Sequence, residues 1–179
     1  MYRILDVYDK KEEYFMYEDQ VLAIIKKEPA FMASVDGQRP RIRPMKVFVD
    51  ETGHLWLFSR FDSKKVSDLS VNPRVELGFM GEDSSVVTVF GQVKDATKPG
   101  TPQFRLVRDM MLNHVPEMKH YFSANEEDSI ILYQVIVHEV NYMRTDRTVV
   151  SNINLPMTYS PEVEVTFCKG GFCLTDKDK

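Results

Sequence analysis

The sequence predicts a mainly β protein in which six antiparallel strands, joined by Greek-key-like connections, curl into a barrel with flanking helices. Two observations carry this prediction: short strand-like segments follow one another between turn residues, and there is no regular alternation of strands with helices. A doubly wound parallel fold would show a glycine-rich turn after its first strand. The first turn here is the hairpin dipeptide Asp36-Gly37.

Length, charge and composition restrict the classes of function. The chain of 179 residues suits one domain over residues 1–150, with residues 151–179 as a C-terminal extension. A net charge of −4 argues against a nucleic-acid partner. The chain has no apolar run of membrane-spanning length and no signal-like N-terminus, so we expect a soluble cytoplasmic protein without a membrane partner. The four histidines show no metal-ligand spacing, and no metal is assigned.

The first half of the chain predicts two helices and three strands. Residues 12–27 place apolar side chains among charges before Pro29, as an amphipathic helix does. Strands follow over residues 31–35, 41–49 and 55–59, separated by turn residues. A short helix over residues 63–71 ends at Asn72-Pro73.

The second half predicts three more strands and a third helix. Residues 74–79 alternate polar and apolar side chains, and residues 86–93 are rich in β-branched ones. Gly91 within that strand indicates a bulge or a close backbone approach. A helix over residues 103–113 follows Pro99 and Pro102, and a long strand runs from Ile130 to Tyr142.

A candidate phosphate site lies where the third strand meets the short helix. Asp62 or Ser63 can cap the helix, its first N–H groups are unpaired, and Lys64 and Lys65 add two positive charges. Capping and ordinary surface lysines explain the same residues without a ligand. Arg39, Arg41 and Arg43 share one strand face. Such a face suits a phosphorylated cofactor, a nicotinamide dinucleotide or a deazaflavin tail, or is simply solvated.

Several ordered motifs together carry a family resemblance. They are Pro29-Ala30-Phe31-Met32-Ala33-Ser34-Val35-Asp36-Gly37, Arg41-Ile42-Arg43-Pro44-Met45, Trp56-Leu57-Phe58-Ser59 with Ser63-Lys64-Lys65, and Val71-Asn72-Pro73-Arg74-Val75-Glu76-Leu77-Gly78-Phe79. In this order and spacing, the segment Ala30 to Val93 resembles the FMN-binding split-barrel family that includes pyridoxamine 5′-phosphate oxidase and the bacterial general stress proteins. The resemblance implies that the six-stranded barrel is of the split type.

The resemblance implies a cofactor, an assembly and a set of binding residues. FMN would lie at the interface of a homodimer, with Arg43, Lys64 and Lys65 near its phosphate. Such a dianion needs several charged donors, and an arginine can engage it bidentately. The other implied contacts, mostly from the backbone, are Pro44, Met45, Lys46 and Val47 beside the isoalloxazine ring and Phe58, Ser59 and Ser63 on the ribityl and phosphate side.

Departures from the family pattern bear on the reaction. A flavin-contacting glutamine of the oxidase is replaced by Val86, and its substrate-holding C-terminal tryptophan and arginine have no visible counterpart. The general stress protein branch is therefore the better match, and oxidation of pyridoxamine phosphate is not expected. The resulting prediction is a small FMN-dependent oxidoreductase of unknown substrate, with NADH or NADPH as candidate reductants and no side chain nominated as catalytic. The alternatives are a non-catalytic flavin carrier or stress-related redox sensor, and a split barrel that binds haem or a deazaflavin.

The C-terminal extension contains a predicted hairpin over residues 167–174 with Gly170-Gly171 as its turn. In that register Cys168 lies opposite Cys173, where a disulfide could close. A reducing cytoplasm favours two thiols instead.

Overall fold

Eight strands form one curled antiparallel sheet, in the order β2-β1-β5-β6-β7-β4-β3, with β8 paired to β7. The computed structural model describes residues 17–97, 102–114, 130–155, 165–168 and 171–174. The helices are α1 over residues 17–27, α2 over Lys64–Val71 and α3 over Pro102–His114. The strands are β1 Ala30–Asp36, β2 Arg39–Met45, β3 Phe48–Val49, β4 Leu55–Arg60, β5 Arg74–Met80, β6 Val86–Thr97, β7 Ile130–Met143, β8 Val149–Val150, and a separate pair, β9 Val165–Cys168 and β10 Gly171–Leu174.

This architecture confirms the predicted fold class, a mainly β antiparallel sheet with flanking helices. The number of strands is larger than predicted, because the expected strand over residues 41–49 is divided into β2 and β3. The strand β8 has only two residues, too few to show a period in the sequence. Residues 12–16 of the predicted first helix lie outside the described residues.

The bulge expected at Gly91 is present in the ladder between β6 and β7, whose register shifts between Phe90 and Gly91. A Cβ atom at position 91 would collide with the carbonyl oxygen of Ile136 on β7. Glycine is therefore required here by the close approach of two backbones.

Two apolar clusters lie on opposite faces of β4, because successive side chains of a strand point to opposite faces. Leu55 and Leu57 belong to the main cluster, which α1 covers with Tyr17, Val21 and Ile25. Trp56 lies in a second cluster that α3 covers; its buried members are Phe48, Trp56, Phe104, Val107, Met111 and Leu132.

The register predicted for the C-terminal hairpin is wrong, because β9 and β10 pair one residue earlier along the chain than expected. Cys168 of β9 pairs with Gly171, and Cys173 of β10 pairs with Thr166, so the two cysteines are not directly opposite. The two strands leave residues 169 and 170 between them. A Gly-Gly dipeptide permits either placement of the turn because it carries no side chain that fixes the register.

In the described part of the chain, no helix is both long and apolar enough to cross a membrane.

Candidate functional site

The helix α2 begins with a serine cap that also contacts the neighbouring strand. Ser63 Oγ accepts a hydrogen bond from the Val66 N–H at 3.4 Å and lies 2.7 Å from Ser59 Oγ at the end of β4. Of the two caps predicted, the structure uses Ser63. Asp62 instead accepts hydrogen bonds from Arg60 at the surface. The cap fixes where α2 starts, and therefore where Lys64 and Lys65 emerge.

A carboxylate of α2 holds the arginine of β2. Arg43 Nη2 donates to Asp68 Oδ2 at 2.9 Å, and the Asp68 side chain is fully buried while that of Arg43 is 20% exposed. The Arg43 guanidinium, together with the Lys64 ammonium, holds the pKa of Asp68 below its usual range. The sequence does not predict this partner of Arg43.

Lys64 lies between two carboxylates. Its Nζ is 3.0 Å from Asp68 Oδ1 and 3.3 Å from Asp36 Oδ1, and these contacts raise the pKa of Lys64. Asp36 also accepts two hydrogen bonds from Arg41, at 2.6 and 3.0 Å. Arg41 and Lys64 lower the pKa of Asp36. The positive charges of Arg41 and Lys64 are thus balanced by the carboxylates of Asp36 and Asp68.

Lys65 has a different environment from Lys64. Its Nζ donates to Met45 Sδ at 3.0 Å, and no carboxylate among the described residues is within ion-pair distance of it. Burial, and then repulsion from Arg43, lower the pKa of Lys65. A thioether is a weak acceptor, so this ammonium group lacks a strong partner.

Arg43 also keeps an unused donor. Its Nη1 is buried and has no hydrogen-bond partner in the described part of the chain. A buried donor without an acceptor is costly, and a bound anion would remove that cost. Arg43 Nη1 and Lys65 Nζ are thus the donors of the predicted phosphate-binding residues that lack a strong acceptor among the described residues.

We call Arg41, Arg43, Lys64, Lys65, Asp36 and Asp68 the charge cluster. Four cations and two carboxylates leave it with two net positive charges. This net charge is about equal in size and opposite in sign to that of a phosphate monoester near neutral pH.

The remaining predicted binding residues are divided between two places. Met45, Ser59 and Ser63 lie with the charge cluster around the start of α2. Lys46 and Val47 instead line a cavity of about 450 Å³ that Lys26, Phe48 and Met110 also border. Pro44 is exposed on β2, and the side chain of Phe58 packs against the second apolar cluster on the other face of β4.

The sequence does not predict Asp36 and Asp68 as members of the site. One local signal was available, since Lys64 and Asp68 are four residues apart and therefore neighbours on one helix face. The pairing of Asp36 with Lys64 depends on the packing of α2 against β1 and has no comparable signal.

Comparisons with known proteins bear on the family and the fold. The family model described as pyridoxamine 5′-phosphate oxidase matches residues 17–145. No curated protein matches the sequence significantly.

Three solved structures illustrate the fold. A NimC/NimA family protein from Clostridium acetobutylicum is 22% identical, with 80% of this chain and 99% of that chain covered and a TM-score of 0.60. General stress protein 26 from Bacillus anthracis is 17% identical, with 75% and 97% covered and a TM-score of 0.58. A haem binding protein from Mycobacterium smegmatis is 14% identical, with 76% and 57% covered and a TM-score of 0.62. At these identities the likeness shows the fold alone.

Proposed function

Because the chain belongs to the pyridoxamine 5′-phosphate oxidase family, we propose that it is an FMN-binding flavoprotein that acts as a small oxidoreductase. The phosphate of FMN binds at the charge cluster, between the start of α2 and the arginine of β2. The substrate is left open, and oxidation of pyridoxamine phosphate is not part of the proposal because Val86 stands in place of the oxidase's flavin-contacting glutamine.

The observation that carries the proposal is the pair of unsatisfied donors in the charge cluster. Arg43 Nη1 is buried without an acceptor among the described residues, and Lys65 Nζ has only the sulfur of Met45. A phosphate oxygen at this place would accept charge-assisted hydrogen bonds from both groups. The positive end of the α2 dipole adds to the attraction.

The residues of the chain bind and orient the cofactor rather than react. Bound flavin supplies hydride and single-electron chemistry that amino-acid side chains lack. Arg43 and Lys65 fix the phosphate, while the Ser63 cap and the Ser59 contact keep α2 in register with β4. Lys46 and Val47 line the 450 Å³ cavity next to the β2–β3 connection, which is the candidate position for the ring and a small substrate.

A homodimer with the flavin at its interface completes the proposal. Exposed apolar side chains lie on four adjacent strands: Phe31 is 56% exposed, Ile42 72%, Met80 63% and Phe90 40%. The strand registers place all four on the same face of the sheet. A second copy covering this face would remove the apolar surface from water. The molar mass in solution, measured by light scattering, is expected to be that of two chains, and a monomer at micromolar concentration would contradict this part.

The absorption spectrum of freshly purified protein tests the cofactor. We expect the visible bands of an oxidised flavin, and release of FMN rather than FAD on denaturation. A Soret band would favour haem, which the similar Mycobacterium smegmatis structure makes the second candidate, and a deazaflavin has its own distinct spectrum. Either of these spectra, without flavin, would contradict the FMN proposal.

Turnover separates the enzyme from a flavin carrier or redox sensor. The FMN-loaded protein is expected to consume NADH or NADPH steadily in air, with regeneration of the oxidised flavin. Bound flavin without sustained consumption of either nucleotide would favour the non-catalytic alternative.

A further inference from the structure

The charge cluster contains two carboxylates among its four cations. Asp68 is bonded to Arg43 and Lys64, and Asp36 to Arg41 and Lys64. Asp68 lies against Arg43, which the proposed phosphate uses, whereas Asp36 lies against the neighbouring cations Arg41 and Lys64. The Asp68 side chain has no exposure to solvent.

We propose that Asp68, assisted by Asp36, is a built-in counter-ion that limits the affinity of the charge cluster for a phosphate group and thereby determines its specificity for a single dianionic phosphate. This inference rests on the proposed function, since it concerns the same site.

The geometry allows the phosphate and Asp68 to be bound at the same time. Arg43 uses Nη2 for Asp68 and keeps Nη1 for another acceptor. Lys65 forms no ion pair with Asp36 or Asp68; its Nζ donates to Met45 Sδ instead. The phosphate therefore does not displace Asp68, and it experiences the field of that carboxylate throughout.

Two opposing effects of Asp68 have to be compared. Its negative charge repels a phosphate that binds to the same guanidinium, and in a partly buried site this repulsion is weakly screened. Its hydrogen bond orients the guanidinium, which favours binding. An asparagine at position 68 removes the charge but retains an oxygen that accepts from Arg43, so the repulsion is lost while most of the orientation is kept.

The net charge of the cluster determines which anionic ligands it favours. With both carboxylates present the two net positive charges match one phosphate monoester. Without them four cations would remain, and ligands of higher negative charge would gain most.

Binding of FMN and of riboflavin, measured by flavin fluorescence titration, tests the proposal, because only FMN carries the phosphate. We expect Asp68→Asn to tighten FMN binding by about tenfold and to leave riboflavin binding unchanged. Asp36→Asn, whose carboxylate is 29% exposed, should tighten FMN binding by a smaller factor. The matched control is Asp146→Asn, which removes an exposed carboxylate paired with Arg144 outside the cluster and should change neither affinity.

An unchanged or lower ratio of FMN to riboflavin affinity in Asp68→Asn overturns the inference, and a lower ratio would make Asp68 a positioning residue instead. If Asp68→Asn does not fold, the same ratio in Asp36→Asn decides. If the wild-type protein binds neither flavin, the proposed function fails, and inorganic phosphate becomes the probe. Phosphate should then raise the melting temperature of Asp68→Asn more than that of the wild type, and an equal or smaller rise overturns the inference separately.

Discussion

The helices α2 and α3 are attached to the sheet by different interactions. In α2, Asp68 and Lys64 form ion pairs with β2 and β1, and Leu69 packs in the main apolar cluster with Val66 beside it. In α3 the buried side chains Phe104, Val107 and Met111 pack against the second apolar cluster. Ion pairs therefore contribute to the attachment of α2, whereas the attachment of α3 is largely apolar.

The two attachments should respond differently to a bound ligand. Apolar burial is insensitive to anions and to pH near neutrality, whereas ion pairs depend on both. We therefore expect a phosphate, a proton or a lost charge to alter the attachment of α2 while that of α3 stays constant.

The largest expected effect concerns the apolar attachment. Phe104→Ala removes a fully buried aromatic ring from beneath α3 and should lower the free energy of unfolding by about 3–5 kcal/mol, measured by chemical denaturation. The control on the same helix is Leu106→Ala, at a side chain 62% exposed, which should change it by less than about 0.5 kcal/mol. Similar losses in both variants would show that α3 is not anchored through Phe104.

The second effect concerns ligand binding by the charge cluster. Lys65→Met keeps an apolar stem but removes the ammonium group, and should weaken FMN binding by about 10- to 100-fold with riboflavin binding unchanged. The ligand-free protein should not lose stability, because burial and Arg43 already disfavour the charged lysine. Lys94→Ala, at an exposed residue of β6, is the control. An unaltered FMN affinity in Lys65→Met would remove Lys65 from the site.

The third effect is a selective loss of α2 in acid. The pKa values of Asp36 and Asp68 are lowered in the fold, so their contribution to stability is complete above the unfolded value of about 3.9 and is lost as the pH falls through the lowered folded values. Hydrogen exchange measured at decreasing pH below about 4 should show α2 amides losing protection before those of α3. Parallel loss in both helices would contradict the distinction between them.

The smallest effect concerns the cap of α2. Ser63→Ala removes the side-chain acceptor for the Val66 N–H, which also donates to the Ser63 carbonyl, and should cost about 1 kcal/mol of stability, measured by denaturation. Ser67→Ala, at an exposed position inside the same helix, should be neutral or slightly stabilising because alanine favours helix. Equal effects of the two substitutions would mean that the cap does not stabilise α2.

The parts of the fold that depend on neighbours in sequence could be predicted. The hairpin at Gly37, the cap at Ser63 and the bulge at Gly91 each follow from local chemistry and are all present. The C-terminal register and the division of the second strand were predicted wrongly, because glycine leaves the register open and two-residue strands have no period.

The arginines and lysines of the candidate site were predicted from the sequence, but its two aspartates, Asp36 and Asp68, were not. Arginine and lysine near a helix start indicate a phosphate site by their type alone. The partners of those cations are 25 residues away for Arg43 and Asp68, and 28 for Lys64 and Asp36. Such pairs form only when α2 packs on the sheet, and the sequence states neither the packing nor the direction of the side chains.

Gly37 and Gly91 differ in how well their positions tolerate a side chain. Gly37 has φ of +59° and open space where a Cβ would lie, so asparagine or aspartate can replace it with modest strain. Position 91 rejects every side chain, because any Cβ meets a main-chain oxygen that cannot move without pulling β7 away from its neighbour. The close approach of β6 and β7 at this bulge therefore depends on the absence of a side chain at one position.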